Sequence, residues 1–182
     1  RLGIRSVTLD DLCRELGISK KTLYAHFEDK NALVIAVVGA HVEQMEARAN
    51  EVFGVDSINP MQQFIQFIAC MAPEMRAMHP ALIHDMQKYH HEAWQILEKH
   101  KDTFVAQAIQ NNIQQGIKTG YYRSNLNVDL VSRFYLELSN TVVFGNSFPA
   151  HKFSMHNLFE EFISYHLHGI ASEKGLAFLQ TN

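Results

Sequence analysis

The chain has 182 residues, 47% of them hydrophobic and 19% charged, enough apolar material to bury a core without disulfide or metal staples. Its formal charge of −3 excludes a uniformly basic nucleic-acid coat, and no apolar run reaches the roughly 18 residues of a membrane span. The two cysteines, Cys13 and Cys70, stand far apart in apolar helical stretches, the pattern of reduced core thiols and not of a disulfide framework or zinc ribbon, so a cytoplasmic protein is expected.

Apolar residues recur at three and four spacing almost throughout, with no sustained alternation of period two, so an all-α fold is expected. The residues after Arg1 read as the end of a helix, and most of that helix is expected upstream. Thr8, with Asp11 three residues on, forms a capping box ahead of Leu9, Leu12 and Leu16, and Gly17 closes that short helix. A second short helix runs from Ser19 to about Phe27. A long third one starts near Asp29 and continues through Leu33, Val37, His41, Met45 and Ala49 to Phe53, where Gly54 stops it.

Asn59-Pro60 and His79-Pro80 each pair a capping residue with proline at the first helical position, so a helix opens at both. From Pro80 the apolar pattern runs to Tyr89, breaks near His90-His91, and resumes through Trp94 to Ile113, with Gly116 and Gly120 bracketing its end. Two last helices, Val128 to about Gly145 and Met155 to about Ser172, start from caps at Asn127 and Ser154. These segments divide into an N-terminal piece at 1–31, a connecting helix at 32–54 and a helical body at 55–182.

The segment from Thr8 to Lys30 has the spacing of a helix-turn-helix. Leu12, Cys13, Leu16, Ile18, Leu23 and Phe27 supply the small core that fixes the angle between its helices. The other face of the second helix carries Ser19, Lys20, Lys21, Thr22, Tyr24 and His26, groups that contact phosphates and base edges. A recognition helix enters the major groove by its N-terminal residues, which makes Lys20 and Lys21 the base-edge candidates, with guanine O6 and N7 as acceptors. Thr8, Thr22, Tyr24, His26 and Lys30 suit phosphate contacts. Charge supports this weakly: residues 1–31 hold six Lys/Arg against five acids, about +1, leaving about −4 for the remainder.

The run T-x-x-x-L-C-x-x-L-G-I-S-K-K-T-L-Y-x-H-F-x-x-K-x-x-L, within Val7 to Leu33, resembles the N-terminal signature of the TetR family of transcription regulators. The resemblance implies that Thr8 caps the family's second helix and touches phosphate, that Lys20 to His26 form the recognition helix, and that Lys30 opens the fourth helix as a phosphate-binding lysine. It also implies a dimer bound to a double-stranded DNA operator and a C-terminal domain that binds a small-molecule effector. In the body the resemblance extends only to G-I-K-T-G-Y-Y-R, Gly116 to Arg123, which is similar to a common end of the family's seventh helix.

Both final helices are apolar on more than one stripe, so one stripe can meet the core and the other a second copy of the chain. Phe134, Leu138, Val142, Leu158, Phe162, Ile163 and Leu167 are the candidates for that homodimer interface. Phe67, Cys70, Met71, Met75, Met86, Tyr89, Trp94, Phe104 and Tyr135 could line an effector site; core packing is the simpler account of any one of them. Their chemistry suits an apolar or aromatic ligand. Eleven histidines raise the question of metal, but no H-E-x-x-H, Glu-x-x-His or Cys-x-x-Cys spacing occurs, so neither a metal nor a cofactor is expected. No G-x-S-x-G, P-loop or G-x-G-x-x-G occurs either, and no enzyme activity is expected. A repressor released by an apolar ligand is the leading reading. The alternative is a helical small-molecule sensor or interaction protein without working DNA binding.

Overall fold

The computed structural model describes residues 3–54, 58–77, 79–145, 147–149 and 151–181, with backbone alone at 72, 74–77 and 80. The fold is all-α. After a 3-10 turn at Ile4–Ser6 come α1 (Leu9–Leu16), α2 (Lys20–His26), α3 (Lys30–Phe53), α4 (Pro60–Ala77), α5 (Pro80–Tyr89) and α6 (His91–His100). A π turn at Lys101–Val105 leads into α7 (Ala106–Lys118), followed by α8 (Val128–Phe144), α9 (Met155–Ile170) and α10 (Glu173–Thr181). No strand forms among the described residues; the only extended pairing is a single antiparallel bridge between Tyr122 and Ala171.

The helix starts are built from the expected caps. The Ser19 hydroxyl accepts from the Thr22 amide at 3.0 Å, the Asn59 amide oxygen from the Gln62 amide at 3.0 Å, and the Asn127 amide oxygen from the Leu130 amide at 3.1 Å. At His79 the ring Nδ1 takes the role, accepting from the Ala81 amide at 3.2 Å. Two features fall outside the sequence reading. Pro73 lies within α4 without ending it, and the tail carries α10, a helix beyond the two expected there.

The chain divides into two compact units, Arg1–Ala47 with Ala77–His100, and Arg48–Arg76 with Lys101–Asn182. In the first, α5 and α6 join the helix-turn-helix. The Arg5 amide donates to Asp85 Oδ2 at 3.0 Å, and its guanidinium donates to the Tyr89 hydroxyl at 3.0 Å while lying 4.6 Å above that ring. Asn31 Oδ1 meets His90 Nδ1 at 2.8 Å, and Glu46 Oε1 meets His100 Nδ1 at 2.9 Å. The Arg5 amide holds the Asp85 carboxyl below its usual range, whereas burial and the nearby Lys30 charge depress the His90 imidazole.

The second unit is fastened by Tyr122, which is 1% exposed. Its hydroxyl donates to Asn112 Oδ1 at 2.9 Å, and Asn112 Nδ2 donates to the Pro60 carbonyl at 2.8 Å, so α4, α7 and the chain after α7 share one buried network. Gly116 is required there: a Cβ would come within 1.8 Å of the Tyr122 ring. The Ser172 hydroxyl donates to the Gly120 and Tyr121 carbonyls at 2.6 and 3.0 Å and accepts from the Gly175 amide at 3.2 Å, which seats α10.

Candidate nucleic-acid interface

The helix-turn-helix is set by local chemistry. The Thr8 hydroxyl accepts from the Asp11 amide at 3.1 Å while Asp11 Oδ2 accepts from the Thr8 amide at 3.0 Å, a closed capping box. The Thr8 hydroxyl also donates to Asp11 Oδ2 at 2.6 Å. These bonds to Thr8 hold the Asp11 carboxyl below its ordinary value. Gly17 closes α1 at φ 66°, the left-handed conformation that lets the chain reverse into α2 without a Cβ clash. Cys13 and Leu23 are buried between the two helices, with Leu12, Ile18 and Phe27 half-buried around them. Leu16 does not belong to that core: on the last turn of α1, at the Gly17 reversal, it is 63% exposed.

With that core turned inward, Ser19, Lys20, Lys21, Thr22, Tyr24 and His26 are all exposed. Thr8 is exposed at the start of α1 as well. Lys20 Nζ lies 2.7 Å from Asp10 Oδ1, and that bond to Asp10 raises the lysine's pKa, so the charge is present but partnered. Ser19 and Thr22 bond to each other through their hydroxyls at 2.9 Å.

Lys30 is placed differently. Half-buried, its ammonium donates to the main-chain carbonyls of Ile4 and Val7, tying the start of α3 to the 3-10 turn and to the entry of α1. An ammonium has three donors. One remains beyond these two carbonyls, so the same lysine can hold the turn and touch a phosphate.

The effector candidates do not fall in one place. Met86, Tyr89 and Trp94 belong to the first unit, with Met86 buried and Tyr89 occupied by Arg5. Phe67, Cys70, Met71, Phe104 and Tyr135 belong to the second. There Phe67 packs on Phe53 with ring centroids 5.1 Å apart, and Tyr135 on Phe64 and Phe162 at 5.4 and 5.2 Å. The Met75 side chain lies outside the described residues. A cleft of about 530 Å³ opens instead between α4, α9 and α10, lined by Ile68, Phe159 and Ile163 among others. Of the residues read as effector-binding, none lines it; the volume depends on which side chains leave a gap between helices, a property with no local sequence signal.

Among the interface candidates, Phe134 and Leu138 are 62% and 43% exposed and Leu158 and Ile163 half-buried, while Val142, Phe162 and Leu167 are buried inside their own unit. Leu130 and Tyr165, at 55% and 73% exposed, are large side chains on the open faces of α8 and α9 that the sequence reading left out of that set.

Comparison with known proteins agrees with this geometry. The family model described as bacterial regulatory proteins, tetR family, matches residues 2–37. An uncharacterized HTH-type transcriptional regulator of Bacillus subtilis, YvaF, is 27% identical over 172 residues, which is 93% of this chain and 88% of that protein. The HTH-type transcriptional repressor KstR2 of Mycobacterium tuberculosis is 26% identical over 140 residues, 72% of this chain and 67% of the repressor. Among solved structures, the ketosteroid transcriptional regulator KstR2 of M. tuberculosis superposes with a TM-score of 0.65 at 22% identity, covering 93% of this chain and 87% of its own. A transcriptional regulator from Saccharomonospora viridis in complex with choline gives a TM-score of 0.76 at 16% identity, covering 95% and 91%. At these identities the structural likeness is one of fold.

Proposed function

We propose that this chain, whose residues 2–37 match the model of the tetR family of bacterial regulatory proteins, is a DNA-binding transcription regulator of that kind, which represses by holding a palindromic operator as a homodimer and lets go when a small, largely apolar molecule binds its helical body. The observation that carries the DNA-binding half is the exposed face of α2, where Lys20, Lys21, Thr22, Tyr24 and His26 stand clear of a buried Cys13–Leu23 core. Lys20 and Lys21 read base edges, Lys20 exchanging Asp10 for a base acceptor on binding. Thr8, Ser19, Thr22, Tyr24, His26 and Lys30 hold the backbone.

Two copies are needed because a palindrome is read by two recognition helices about 34–36 Å apart, or a multiple of that distance. The open face of α8, with Leu130, Phe134 and Leu138, supports self-association. Release calls for a rigid handle on the DNA-binding helices. Arg5 with Asp85 and Tyr89, and Asn31 with His90, supply that handle, since a shift of α5 is passed to the 3-10 turn and to α3. The experiment is a titration of the purified protein against DNA fragments from around its own gene at low salt, with Lys20→Ala/Lys21→Ala as the control. Tight, salt-dependent binding that loses its sequence preference in the double variant is the expected result; no binding to any fragment would favour a sensor that does not act on DNA.

A further inference from the structure

The second unit holds a cleft that no part of the DNA-binding account uses. Its volume of about 530 Å³ falls within the roughly 300–1,000 Å³ span of small-molecule sites, and its walls come from α4, α9 and α10. Helix α9 contributes two parallel rows at four-residue spacing. Phe159, Ile163 and Leu167 form the first; they are half-buried or buried, and Ile65 and Ile68 of α4 with Leu179 of α10 complete an apolar lining around them. His156, Glu160, Ser164 and His168 form the second, and all four are exposed. The cleft therefore has an apolar interior and one polar edge, which runs for about 18 Å along α9 at roughly 1.5 Å per residue.

That edge is a row of acceptors. Among the described residues that line the cleft, Glu160 is the only Asp, Glu, Lys or Arg. Its Oε1 lies 3.2 Å from His156 Nε2, and a carboxylate has about four acceptor sites, so capacity remains for a ligand. His168 Nδ1 lies 2.8 Å from the Ser164 carbonyl, which can only accept; the ring proton is therefore on Nδ1, and in the neutral ring Nε2 is a further acceptor. Helix α9 carries no Lys or Arg, and Lys174, the one such residue on α10, donates instead to the Thr119 carbonyl at 2.9 Å. A ligand carboxylate or phosphate would meet Glu160 with no lysine or arginine of α9 or α10 to offset the repulsion.

We propose that this cleft is the effector site and that it takes an elongated amine, its apolar body against Ile68 and Ile163 and its ammonium donating to Glu160. This deepens the reading of the chain as a ligand-released regulator and rests on it for the word effector, though not for the site itself. Apolar contact supplies most of the affinity. The carboxylate selects the head group, since an ammonium brings three donors and the opposite charge.

Octylamine, octan-1-ol and octanoate carry chains of the same length and differ in the head group, and at about pH 8 an alkylamine is an ammonium, as a lysine side chain of pKa about 10.4 is. Each is titrated calorimetrically into the full chain, into Glu160→Gln, which keeps the shape and removes the charge, and into Ala69→Trp, which fills the cleft from an exposed position on α4. Saturable uptake of octylamine at one site per chain is expected, about threefold to tenfold tighter than octan-1-ol, with octanoate weakest. Glu160→Gln should abolish the preference for the amine without weakening the alcohol, and Ala69→Trp should weaken both by about tenfold or more. Equal binding of the three heads, a preference for octanoate, or an amine preference that survives Glu160→Gln overturns the proposal. So does a parent chain that takes up no octylamine; if Ala69→Trp then also disrupts self-association, a second copy covers the cleft. DNA binding is measured separately: its absence without amine contradicts the regulator reading and leaves the amine site standing, whereas octylamine that binds without changing DNA affinity overturns the effector role.

Discussion

Lys30 serves the fold directly and is proposed to serve the DNA interface as well. Its ammonium satisfies two main-chain carbonyls at the start of the chain and has one donor left. Replacing it with methionine keeps the stem but leaves those carbonyls without their donor, so a stability loss of about 1–3 kcal/mol is expected in urea unfolding. If the third donor reaches phosphate, the slope of log affinity against log salt also falls by about 1, for every DNA sequence alike. An unchanged slope would leave Lys30 a purely structural clasp. Lys20 behaves otherwise: its pair with Asp10 is exposed and adds little to stability, so Lys20→Ala should leave the melting temperature within a degree or two and act on sequence preference alone.

At the scale of elements, what sequence revealed and what it hid follow from how local the determinants are. The helix-turn-helix could be read because its cap at Thr8, its reversal at Gly17 and its second cap at Ser19 each act within three or four residues. Helix α10 could not, because it is seated by Ser172 bonding to Gly120 and Tyr121 and by Gly175 lying where a Cβ would sit 2.2 Å from the Tyr121 carbonyl. Those contacts span some fifty residues, beyond any window of periodicity. Leu16 misled for the reverse reason: its spacing fits the apolar stripe of α1, yet it sits on the last turn of that helix and is exposed. Gly116 gives the sharpest element-level test. Gly116→Ala raises helix propensity by about 1 kcal/mol but drives a methyl into the Tyr122 ring, so net destabilisation of about 1–3 kcal/mol is expected from overpacking. A more stable variant would show that the ring can step aside.

For the whole molecule, burial sets a pH limit, and the proposed function depends on association. The folded His166 titrates at about 4, below its ordinary 6.5, so the unfolded chain binds the extra proton first as pH falls. Its contribution is fully present above about pH 6.5 and is lost progressively toward pH 4, on the order of 3 kcal/mol at most. His166→Phe should flatten that part of the stability profile, and an unchanged acid limb would mean that the imidazole reaches water when protonated. The exposed apolar face of α8 predicts that Phe134→Glu shifts sedimentation toward monomer and weakens operator binding with it. Monomer formation without any loss of DNA affinity would separate association from recognition.

The central claim is that two copies of this chain read DNA through Lys20 and Lys21. Selection of binding sites from a random duplex library tests it most directly. The wild-type chain should enrich an inverted repeat whose half-sites lie about one helical turn, or a multiple of it, apart, and the Lys20→Ala/Lys21→Ala variant should enrich nothing above background. Enrichment of the same repeat by both proteins would contradict the account.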